Sequence, residues 1–157
     1  MAIHHKLIAT AARLYWRLRR PRTLGVRGLV LDGDNRIALV RHTYADHWYL
    51  PGGGVKKGES FEQALARELR EEIALTDFAV ERLLGIYHSR REYKDDHIAV
   101  FVARVPPGAK EPLARADYLE IEQAAWFDLE DLPPDLSPAT ARRIAEYRAA
   151  VVGGGSW

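Results

Sequence analysis

Cysteine is absent from the 157-residue chain. Disulfides, a thiol nucleophile and a cysteine-ligated zinc site are thereby excluded, and a reducing compartment is the natural setting. Also missing is any apolar run approaching the ~20 residues a membrane helix needs, and the start offers no apolar stretch of signal-peptide length. The cytoplasm is therefore the expected location. No internal repeat and no linker separating two domains is visible. Acidic side chains are missing from residues 1–27, which hold seven Lys or Arg. The formal net charge of +1 thus hides an asymmetry, with 16 basic against 22 acidic residues in the remainder.

What is present suits one packed domain, since 47% of the residues are hydrophobic. In the basic N-terminal segment, Ile3, Leu7, Ala11, Leu14 and Leu18 fall on one face of a helix that Pro21 would end, with Lys6, Arg13, Arg17 and Arg20 on its flank. Residues 1–20 are therefore expected to form a basic amphipathic helix appended to a domain over 21–157. It would pack on that domain or on a second copy in a homodimer, with contact to RNA or a membrane surface, or an undocked arm, as alternatives.

After Pro21 the pattern turns to strands. Leu24 to Leu31 and Arg36 to His42 flank the turn residues Asp32-Gly33-Asp34-Asn35. Trp48 to Leu50 leads into a glycine-rich loop. Phe78 to Ser89 and His97 to Val105 are β-rich runs joined by the charged stretch 90–96, and Ala124 to Phe127 reads as a short strand. Ser137 as N-cap with Pro138 behind it starts a last helix to about Val151. Order is expected to end at Gly153-Gly154-Gly155.

The most informative segment is 53–75. Glu68, Glu71 and Glu72 stand at i, i+3 and i+4, so on a helix they share one face within a turn, an arrangement suited to a hard divalent cation. A solvated acidic face is the plain alternative, but such like charges repel by about 0.2–0.5 kcal/mol per pair and lie toward the negative end of the helix dipole. Arg67 precedes Glu71 by four residues, the less favourable order for a helix pair, which suits a residue placed to orient a carboxylate. Ser60 and Gln63 form a capping box, and Leu65, Leu69 and Ile73 give the apolar stripe. Upstream, Leu50-Pro51-Gly52-Gly53-Gly54 lets backbone groups come close to a phosphate or a metal.

These residues resemble the signature of the Nudix hydrolases: Gly, five residues, Glu, seven residues, then Arg-Glu-apolar-x-Glu-Glu-x-Gly-apolar. Gly53, Glu59 and Arg67-Glu68-Leu69-Arg70-Glu71-Glu72-Ile73-Ala74-Leu75 match it in order and spacing, with Ala74 in place of the last glycine. If that residue is left-handed, alanine costs about 1 kcal/mol there. The resemblance implies an α/β fold, an α/β/α sandwich around a mixed β-sheet, to which the N-terminal helix would be extra. It implies that Glu68, Glu71 and Glu72 bind magnesium, or manganese, that the Gly53 carbonyl assists, that Arg67 orients Glu71, and that Glu59 braces the loop. The implied reaction is hydrolysis of a pyrophosphate bond in a nucleoside diphosphate linked to another group. A pyrophosphohydrolase of RNA 5′ ends and a nucleotide-sensing module without turnover are the alternatives.

Other candidates are individual. Glu120, ahead of the strand Ala124 to Phe127, lies where this family often places a further acid that binds metal or acts as general base. Glu122 is the second choice, and a surface charge is the plain reading of both. Trp48 and Tyr49, beside the loop, could stack a nucleobase, although aromatics on strands are more often core. Trp48, Gly53 and Gly54 are the expected substrate contacts.

Overall fold

A computed structural model of the protein describes residues 22–90, 95–107 and 113–157. The expected N-terminal helix lies outside the described residues, as does the middle of the charged tip at 90–96. The elements in order are β1 (Arg22–Leu31), β2 (Arg36–His42), β3 (Trp48–Tyr49), α1 (Phe61–Ile73), β4 (Ala79–Ser89), β5 (Asp95–Arg104), β6 (Ile121–Asp128), α2 (Pro138–Arg148) and β7 (Gly153–Ser156).

The strands form one mixed, seven-stranded sheet in the order β3-β2-β1-β5-β4-β7, with β6 paired to β2. β1 and β5 run parallel from Arg22↔Asp95 to Leu31↔Arg104, and β4 pairs antiparallel with β5. Alternation along β1 builds two cores. Val26 and Val30 pack with Leu65, Leu69 and Ile73 of α1 on one face, while Leu29 and Leu31 pack with Ile144 of α2 on the other. One helix on each face gives the α/β/α sandwich.

Burying a leucine contributes about 1.5–3 kcal/mol. Leu65 and Leu69 are fully buried, so packing of α1 outweighs the repulsion among its glutamates. The capping box closes in both directions: Gln63 N donates to Ser60 Oγ at 3.1 Å and Ser60 N to Gln63 Oε1 at 2.9 Å. Ala74 ends the helix in the left-handed conformation, φ 54° and ψ 25°.

Two expectations at the C-terminus are corrected. α2 stops at Arg148, short of Val151, because Ala150 turns to φ 52° and the Val151 N–H folds back to the Glu146 carbonyl at 3.0 Å. The glycines that follow do not end order but form β7, parallel to β4 from Gly85↔Gly153 to His88↔Ser156. Buried Arg143 pins this strand: it donates to the Ser156 carbonyl at 3.1 Å, and its guanidinium lies 3.7 Å from the Tyr87 ring centroid and 5.8 Å from that of Trp157.

Candidate active site

The glycine loop is stitched to β1. Val26 N donates to the Gly53 carbonyl, Gly28 N to the Pro51 carbonyl and Val55 N to the Leu24 carbonyl, each at 2.9 Å. Gly52 needs to be glycine, since its φ is +135° and a Cβ would stand 2.2 Å from the Val26 carbonyl oxygen. At Gly53 the constraint comes from the site, because a Cβ there would meet Glu68 Oε1 at 2.6 Å. Loop and helix carboxylate are thus in contact. The Gly53 carbonyl, expected to assist a metal, accepts from Val26 N–H, and a carbonyl oxygen has the capacity for a second contact.

Arg67 organises the outer part of the site. Its guanidinium makes a bidentate pair with Glu59, Nε to Oε1 at 2.8 Å and Nη2 to Oε2 at 2.9 Å, and also donates to the Gly54 carbonyl at 2.9 Å. The remaining Nη1 reaches both Glu68 Oε1, at 2.6 Å, and Glu71 Oε2, at 3.2 Å. Arg67 therefore holds two of the three signature carboxylates from one nitrogen. The bond from Arg67, aided by the Lys56 N–H, lowers the Glu59 carboxyl to about 2. Glu59 is thereby held ionised as the strut between loop and helix.

Glu72 is the buried member, 4% exposed, and accepts from Gly52 N at 2.8 Å. Burial pushes its carboxyl up to about 7 against the opposing pull of Arg27 and of the Gly52 N–H, with Glu68 and Glu120 adding to the rise. A carboxylate held there wants a cation. Its neighbours are Glu120 and His42: ligand atoms of these three residues lie within 4.8 Å of one another. Glu120 is carried by a loop in which Asp117 Oδ1 accepts from Leu119 N and Glu120 N, while Thr43 N donates to the Glu120 carbonyl at 2.9 Å and Tyr44 Oη to Glu120 Oε1 at 3.2 Å. Burial, followed by the nearby Glu120, raises the Tyr44 hydroxyl to about 12. Glu122, the second choice, is exposed and outside this group.

Trp48 requires a correction. Its indole is 6% exposed and packs edge-on against Phe127 with ring centroids 4.8 Å apart, in the core under α2. Such a ring is spent on packing and cannot present a face to a base. Tyr49, its neighbour on the strand, joins the α1 side and sits between His42 and His47. Residues that the sequence reading missed are His42 and Arg27. His42 reaches the site only through the pairing of β2 with β6, His42↔Ile121 after a bulge, and no local spacing could reveal that. Arg27 donates from Nη1 to the Leu50 carbonyl at 3.2 Å and to the Gly52 carbonyl. With Thr23, Leu24, Gly53, Gly54 and Ile98 it lines a cleft of about 380 Å³.

The acidic set is oxygen-rich, with three glutamates on α1, a loop carbonyl and Glu120 from the loop ahead of β6. Among the described residues the ligand atoms that converge within 4.8 Å are those of His42, Glu72 and Glu120, while Glu68 and Glu71 are held by Arg67. These residues could hold a hard divalent cation. No helix among the described residues is long and apolar enough to cross a membrane.

Comparison with known proteins identifies the family. The ADP-ribose pyrophosphatase of Methanocaldococcus jannaschii is 34% identical over 109 residues, 66% of this chain and 61% of that relative. The 8-oxo-dGTP diphosphatase of Escherichia coli is 29% identical over 124 residues, 73% of this chain and 91% of the relative. Among solved structures, the MutT NUDIX hydrolase from Burkholderia pseudomallei superposes with a TM-score of 0.65 at 27% identity, covering 80% of this chain and 97% of that one. The family model of the NUDIX domain matches residues 21–147, and the chain belongs to the Nudix family.

Proposed function

We propose that this Nudix pyrophosphohydrolase is a magnesium-dependent enzyme that cleaves the pyrophosphate bond of a nucleoside diphosphate linked to another group. The observation that carries the reading is that the C-terminal half of α1 presents Glu68 against Gly53, Glu71 on Arg67 and Glu72 beside Glu120. Glu68, Glu71 and Glu72, with the Gly53 carbonyl, would hold the cation. When bound, it would neutralise pyrophosphate oxygens and activate a water toward phosphorus. The chain's own residues do the rest. Arg67 fixes Glu68 and Glu71 so that the carboxylates do not splay when the cation exchanges, and Glu59 fixes Arg67. Glu120, half exposed and hydrogen-bonded by Tyr44, faces the site from the opposite side and serves as the general base or a further ligand. The cleft beside Gly53 and Gly54, at about 380 Å³, is within the range of small-molecule sites and would receive the nucleotide.

The test is a screen with Mg²⁺ and with Mn²⁺ of ADP-ribose, nucleotide sugars, dinucleoside polyphosphates, coenzyme A and nucleoside triphosphates, reading phosphate and mononucleotide products. Metal-dependent turnover of at least one compound is the expected result. Nucleotide binding without turnover across the panel would make the protein a sensing module instead.

A further inference from the structure

His42 brings a nitrogen donor to the site, and the proposed chemistry does not use it. The residue is 6% exposed, and its Nδ1 is buried without a hydrogen-bond partner among the described residues. Leaving such an atom unsatisfied costs about 1–3 kcal/mol. Nδ1 stands 3.9 Å from Glu120 Oε1, too far for a hydrogen bond. Two donors that each sit ~2.0–2.2 Å from one cation are about 3–4 Å apart, so the gap suits a shared ion. Glu72 completes the group, with one ligand atom from each of the three residues inside 4.8 Å. The ring is held in place: alternation along β2 puts His42 on the α1 side with Ala38 and Val40, the bulge opposite it falls on β6 where Arg41↔Gln123 is followed by His42↔Ile121, Tyr44 stacks on the ring at 5.1 Å and Tyr49 tilts against it at 5.6 Å.

We propose that His42, Glu72 and Glu120 form a second cation position beside the oxygen-only set of Glu68, Glu71 and Gly53. Its imidazole makes this position take a nitrogen-accepting divalent cation, Mn²⁺, Co²⁺ or Zn²⁺, in preference to Mg²⁺. Mg²⁺ demands oxygen ligands, whereas affinity for a mixed nitrogen and oxygen site rises through the first-row transition series. The inference rests on the proposed function through Glu72, which would lie between the two positions, and through Glu120, which would here be a ligand.

The experiment is pulsed EPR of the full chain loaded with Mn²⁺, together with Co²⁺ and Mg²⁺ titrations without nucleotide. The wild-type protein is expected to show ¹⁴N modulation from a directly bound imidazole. His42→Phe, which keeps the aromatic stack, and His42→Gln are each expected to lose that modulation. Co²⁺ affinity should fall by about tenfold or more, while Mg²⁺ affinity holds. Absence of nitrogen modulation in the wild type, which needs no variant to fold, overturns the proposal, as does its persistence in either variant. Turnover with Mg²⁺ but no nitrogen signal would remove this position alone. A protein that binds no divalent cation and turns nothing over would remove the proposed function as well.

Discussion

At the scale of the residue, burial gives each glutamate a separate task. Glu72 is the one whose charge the fold resists: its carboxyl rises from an ordinary 4.5 to about 7 in the cation-free protein. A carboxyl that binds its proton more tightly when folded contributes its full stabilisation below pH 4.5, and that contribution is lost as the pH rises through 7. Glu72→Gln stays neutral and still accepts from Gly52 N–H. Without metal, the melting temperature of this variant should therefore exceed that of the wild type increasingly from pH 5 to pH 8, by an amount equivalent to about 3 kcal/mol. Added Mg²⁺ should close the gap, and parallel melting curves at both pH values would count against a buried ionising Glu72. In turnover, Glu71→Gln and Glu72→Gln should each lose several orders of magnitude while remaining folded, since each removes a charge that the cation needs. Glu120→Gln should lower kcat by about 10²–10⁴ if it is the base, with Glu122→Gln nearly silent. Two silent variants would place the base elsewhere.

At the scale of the element, the signature helix was legible almost to the residue, because its caps and its apolar stripe are both written within the segment itself. Ser60 and Gln63 cap it, Leu65 and Leu69 anchor it, and Ala74 closes it. The left-handed Ala74, φ 54°, stores strain that glycine would relieve. Ala74→Gly should stabilise by about 1 kcal/mol with turnover unchanged, as denaturant unfolding and kcat together would show. β7 was illegible for the opposite reason. Three glycines read as the end of order, and only their partner β4 makes them a strand. A Cβ at Gly154 would stand 2.3 Å from the Ile86 carbonyl oxygen, whereas one at Gly155 meets nothing within 4 Å. Gly154→Ala should therefore lower the melting temperature clearly and expose Trp157, visible in its fluorescence, with Gly155→Ala close to wild type. Equal effects of the two would contradict the pairing of β7 with β4.

At the scale of the whole molecule, sequence and fold part company wherever function depends on distant strands meeting. The glutamates of α1 could be read from their spacing. His42 and Arg27 could not, because each enters the site through sheet pairing or through contact with the loop carbonyls. Trp48 was misplaced by its proximity in sequence to the glycine loop, since strand alternation sends its ring to the opposite core. One large feature remains to be placed, the basic segment 1–20 with its apolar stripe, which lies outside the described residues and ahead of the family match at 21–147. A helix with such a stripe is expected to bury it, at about 25 cal/mol for each Å² of apolar surface removed from water. Deleting residues 1–20 should then lower the melting temperature, or shift the mass in sedimentation from dimer toward monomer. Turnover of small nucleotides by the truncated protein should follow its folded fraction and nothing more. If the seven basic residues of the first 27 serve RNA or anionic lipid instead, melting and mass will stay as they are, and a salt-sensitive association will disappear with the segment. Unchanged melting and mass would therefore refute packing, and the salt dependence would identify what the charge is for.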